Sequence, residues 1–170
     1  MSEIVVKTPN KDYKFIDITD ENNNDEVKPL TEFFQWSQNF SEINTDETFT
    51  APSSLSHVYF QTIKFSAGCV YIYISDESTK LENISCAMKT PYAAEPLTTS
   101  LMSSCSAGQE SSSEATNDLS CKLAKRLNKQ VIVALNVGFS VISASDTQEI
   151  CLKLIEMALF KEIKSNPQKF

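Results

Sequence analysis

The chain has 170 residues, of which 41% are apolar and 22% charged, with a net charge of −7. That length suits one domain with a substantial buried core. No apolar run approaches the roughly 18 residues needed to cross a bilayer, and the acidic balance argues against nucleic acid as the main ligand.

The charge is uneven. Residues 1–50 hold eleven acidic and four basic side chains, whereas residues 51–170 hold eleven of each. Residues 1–33 therefore read as an acidic extension, with short strands or a hairpin over Glu3–Lys7 and Tyr13–Thr19 and a solvated loop over Asp20–Glu26. Met1–Lys7 lacks the basic flank and long apolar core of a secretory signal. The five cysteines (Cys69, Cys86, Cys105, Cys121, Cys151) contain no C-x-x-C pair and read as reduced thiols, several of them buried as small apolar residues.

The main domain is expected over residues 34–170. Phe33–Phe40, with Trp36, is an aromatic-rich strand whose rings suit either core or interface. From His57 to Phe65 the pattern alternates as a strand, and Ser66-Ala67-Gly68 turns it back. In Cys69–Ile74, Val70, Ile72 and Ile74 alternate with Tyr71 and Tyr73. One face of this strand belongs to the core; the other, carrying half-wet tyrosines, faces a helix or a partner. Ile84–Met88 and Pro96–Met102 are two further strands. Residues 103–116 are Ser-rich and predict a flexible loop.

Leu119, Leu123 and Leu127 recur every four residues beside Ala124, giving an amphipathic helix. Lys122, Lys125, Arg126 and Lys129 fill its other side, a basic patch suited to an acidic partner or simply to the negative end of the helix dipole. Asn128 is placed to end the helix in a left-handed conformation, and Val131–Leu135 is a buried strand. A strand continuing through Val137, Phe139 and Val141 follows. Asp146-Thr147-Gln148-Glu149 starts a last helix that is apolar around most of its circumference. The fold class is α+β: an antiparallel sheet of about six to seven strands with two main helices, in the order strands–helix–strand–helix.

Catalytic chemistry has little support. The glycines Gly68, Gly108 and Gly138 are isolated, and no metal-binding or nucleophile-elbow spacing occurs. His57 could pair with a cysteine, but no orienting acid sits at a recognisable spacing. No cofactor and no enzymatic activity are expected.

Residues Leu119–Val133 carry a resemblance. Leu119, Lys122, Leu123, Ala124, Lys125, Arg126, Asn128, Lys129, Gln130, Val131 and Val133 match, without a gap, a run typical of the fourth proteasome assembly chaperone family. Pro96-Leu97-Thr98-Thr99-Ser100-Leu101, Asn39-Phe40-Ser41 and Pro167-Gln168-Lys169-Phe170 resemble three other family segments in the same order. The extension, residues 42–56, the Ser-rich loop and Gly138–Ser145 are longer than a minimal member needs. The resemblance implies a non-enzymatic chaperone of the cytoplasm and nucleus that forms a heterodimer with the third assembly chaperone. The pair would promote assembly of the 20S proteasome α-ring by binding α-subunits, usually α5. The basic residues of the helix are its candidate partner contacts. The alternative reading is a small α+β adaptor or scaffold subunit of another cytosolic complex.

Overall fold

A computed structural model describes residues 31–40, 57–65, 68–76, 81–103, 110–137 and 145–170. The expected segments over 1–30, 42–56 and 138–144 lie outside these residues. Six strands form one sheet: β1 (Thr31–Asn39), β2 (His57–Phe65), β3 (Cys69–Ser75), β4 (Ile84–Met88), β5 (Leu97–Met102) and β6 (Gln130–Asn136). Two helices, α1 (Glu110–Leu127) and α2 (Ser145–Ser165), flank β6 in sequence, and a 3₁₀ turn over Pro167–Lys169 follows. The α+β class and the strands–helix–strand–helix order are as the sequence implied.

The strand order is β1-β2-β3-β6-β4-β5. All pairings are antiparallel except β3 with β6, which run parallel from Cys69 beside Gln130 to Ser75 beside Asn136. The sheet is thus mostly antiparallel, as expected, with one parallel pair at its centre that the sequence did not indicate. The pair arises because the chain leaves β3, builds the β4–β5 hairpin and α1, and returns between β3 and β4. Because β5 runs in the same direction as β3, α1 carries the chain back to the end where β3 began, and β6 enters parallel to β3. Gly68 turns β2 into β3 with φ of 79°, a backbone conformation that favours glycine, and its amide donates to the Phe65 carbonyl at 3.1 Å.

Two boundaries differ from expectation. The extension does not run to residue 33, because β1 begins at Thr31 and pairs Thr31 with Phe65. The loop does not run to residue 116, because α1 begins at Glu110. Serines are poor helix formers, so local propensity gives no sign of a helix start at Glu110. The helix end is as expected: Asn128 adopts φ of 54°, the left-handed terminator.

Both helices cover one face of the sheet. Leu119, Leu123 and Ala124 of α1, and Cys151, Leu154, Ile155, Leu159 and Ile163 of α2, share a core with Val58, Phe60, Val70, Ile72, Ile74, Val131, Val133 and Leu135. The Ser85 and Ser120 hydroxyls, 2.5 Å apart, join β4 to α1 inside it. Trp36 stacks on Phe60 at 5.2 Å and meets the buried Phe170 edge-on at 5.8 Å, which closes the β1 end. Met157 of α2 is well exposed, so that helix needs less cover than its composition suggested.

Candidate functional site

Alternation along each strand, combined with the register between strands, sorts every sheet residue onto one of two faces. Val70, Ile72 and Ile74 lie level with Val131, Val133 and Leu135 and point at the helices. Their neighbours point the other way, and no described element covers that open face. There β2 presents Tyr59, Gln61, Ile63 and Phe65; β3 presents Cys69, Tyr71 and Tyr73; β6 presents Gln130, Ile132 and Ala134; β4 presents Ile84, Cys86 and Met88. The tyrosine face of β3, legible in the sequence as a half-wet surface, is the centre of this array.

Among the described residues, the open face carries no formal charge. The charged strand residues are Glu32 and Lys64, which pair at 2.7 Å on the helix-covered side. A sheet face meant for water normally alternates core residues with charged ones. This one offers aromatic rings, aliphatics, thiols and amides, the composition of an interface centre, where charge is depleted and tyrosine enriched. Five inter-strand spacings make it roughly 24 Å wide, and seven-residue strands roughly 23 Å long. Burial already acts on its titratable groups. The Cys69 thiol is pushed up first by burial and then by the neighbouring Cys86. The Tyr71 phenol is pushed up by burial and by Tyr73. Gln130 donates to the Cys86 sulfur at 3.5 Å.

The four basic residues singled out by sequence lie elsewhere, on and just beyond α1 in the helical layer. Lys122 reaches Glu156 of α2 at 2.8 Å and Asp118 at 3.2 Å, and its ammonium is held above the usual range first by the Glu156 bond. Lys125 pairs with Glu95 at 2.6 Å, which likewise raises it. The Arg126 guanidinium lies 4.7 Å over the Phe160 ring, and Lys129 donates to a Phe170 main-chain oxygen at 2.8 Å. These contacts reach α2, the loop before β5 and the last residue of the chain, and do not converge on one point. The exposed ion pairs are worth little energy, so the same cations can exchange partners.

The Cys69 and Cys151 thiols are not activated as nucleophiles. Cys151 is fully buried, and burial pushes its thiol up, as it does that of Cys69; an activated nucleophile is shifted down. Among the described residues no His, Cys, Asp and Glu group could hold a metal ion, and no helix is long and apolar enough to cross a membrane.

Residues 57–137, which include β2 through β6, match the proteasome assembly chaperone 4 family. The resemblance drawn from the sequence is borne out by that match. No curated protein matches the chain by sequence. Among solved structures, the fold is similar to a chain in the crystal structure of a chaperone complex for yeast 20S proteasome assembly. The TM-score is 0.57 at 9% identity, over 80% of this chain and 97% of that one. At such identity the likeness speaks for the fold.

Proposed function

We propose that this protein is a proteasome assembly chaperone that acts by binding, without turnover, as a heterodimer with a related small chaperone of the third type. The single observation that carries the reading is the charge-free open face, in a segment that matches the proteasome assembly chaperone 4 family. A related partner with a similarly uncharged face would cover it and complete a sandwich with helices on both outer sides. The pair would then promote formation of the 20S α-ring by holding α-subunits, α5 first, in the cytoplasm and nucleus. The basic residues Lys122, Lys125, Arg126 and Lys129, on the opposite layer, stay accessible in such a pair and are assigned to the α-subunit contact.

Affinity purification of the full chain from cells, with identification of what accompanies it, tests this. A third-type chaperone together with α-subunits is the expected yield. Tyr71→Arg, which places a charge at the middle of the open face, should lose the partner chaperone while the far-UV spectrum stays native. Absence of both protein classes from the wild-type sample would overturn the reading, and recovery of an unrelated complex would favour the adaptor alternative.

A further inference from the structure

The two edges of the sheet are built differently. β1 is guarded: it carries the charged Glu32, and the 3₁₀ turn packs against it. β5 is free of charge and proline from Leu97 to Met102, pairs on one side only, with β4, and its one irregularity is a bulge at Leu101. All six of its residues are exposed, Leu97 at 59% and Leu101 at 58%. An uncharged edge with free main-chain groups is a template for another strand.

The sequence of β5 indicates which strand. Read in either direction about Thr99, it places leucine two residues away on each side, at Leu97 and Leu101, and a hydroxyl one residue away, at Thr98 and Ser100. We propose that β5 pairs edge to edge and antiparallel with β5 of a second copy of this chain, about a two-fold axis at Thr99. In that register each Leu97 meets the other copy's Leu101 on the open face, and each Thr98 meets a Ser100 on the helical face. Apolar and hydroxyl cross-strand pairs of this type are favourable, and the arrangement is self-complementary, as a two-fold contact must be. On the β4 side Leu97–Ser100 pair regularly and the bulge falls at Leu101, so the regular part of the new pairing is centred on Thr98–Ser100. Exposed Met88 and Met102 flank the leucines, which makes the open faces of the two copies continuous. This contact uses an edge and not a face, so it stands independently of the partner chaperone.

The test is the sedimentation of the full chain, purified alone, across a range of concentrations. A monomer–dimer equilibrium is expected. Leu97→Lys with Leu101→Lys sets lysine against lysine at both ends of the pairing and should weaken dimerisation about tenfold or more. Leu97→Lys with Leu101→Glu sets lysine against glutamate at both ends and should restore it. Both positions are more than half exposed, so either variant keeps its fold, checked by its thermal transition. A wild-type monomer at every concentration would overturn the proposal, as would equal weakening by the two double variants. Self-association abolished by Tyr71→Arg but untouched at Leu97 and Leu101 would also overturn it, by assigning the contact to the open face. Wild-type protein separates this outcome from a failure of the heterodimer: a chain that is monomeric alone yet captures a third-type chaperone overturns only the edge contact, and a chain that dimerises alone yet captures none overturns only the heterodimer.

Discussion

Asn136 shows how much a single side chain can settle. It is buried at the end of β6, and its carboxamide oxygen accepts from the amides of Glu82 at 2.6 Å and Asn83 at 3.4 Å. Leu135 donates back to the Asn83 carbonyl at 3.0 Å. These bonds pin the entry to β4 against β6, at the place where sheet order departs from chain order. Asn136→Ala would strip an acceptor from these two amides and should cost about 1–3 kcal/mol. A urea transition with a lower midpoint and an unchanged slope would register that loss. A wild-type midpoint would mean that the β4 entry is held by the ladder alone.

Among elements, α1 joins the two kinds of information in the chain. Its buried stripe is Leu119, Leu123 and Ala124, and Leu123 is wholly enclosed. Leu123→Ala should therefore cost about 2–5 kcal/mol in chemical denaturation. A cost below 1 kcal/mol would place that side of the helix outside the core. This stripe was legible because helical periodicity is local, as were the alternating strands and the Asn128 stop. The start at Glu110 was not, since three consecutive serines read as a loop until β4 and β5 give the helix a surface to dock on. The basic side was legible only as charge. Its partners Glu95 and Glu156 lie about thirty positions away in opposite directions, so no sequence window contains both ends of these bonds. The open face was half legible. Tyr71 and Tyr73 announced a surface outside the core, but insertion of β6 between β3 and β4 decides that Ile132, Ile84 and Cys86 join it, and that is a tertiary fact.

At the scale of the whole molecule, charge and apolar surface are segregated by layer. Among the described residues, charge sits on the helices and the covered side, while the open face has none. Two associations should therefore respond differently to salt. Binding of the partner chaperone on the open face should change little between low and high ionic strength, whereas α-subunit binding through α1 should weaken. Titration calorimetry at two salt concentrations would read both; a steep salt dependence of the chaperone heterodimer would move its interface to α1. The parallel pair at the centre of the sheet bears on biosynthesis. Cys69 sits beside Gln130, about sixty positions later, so the middle of the sheet cannot close until nearly the whole chain has left the ribosome. Until then the β1–β2–β3 meander must wait with both of its surfaces bare. The unpaired edge of β3 is therefore exposed to wrong partners until β6 arrives to cover it.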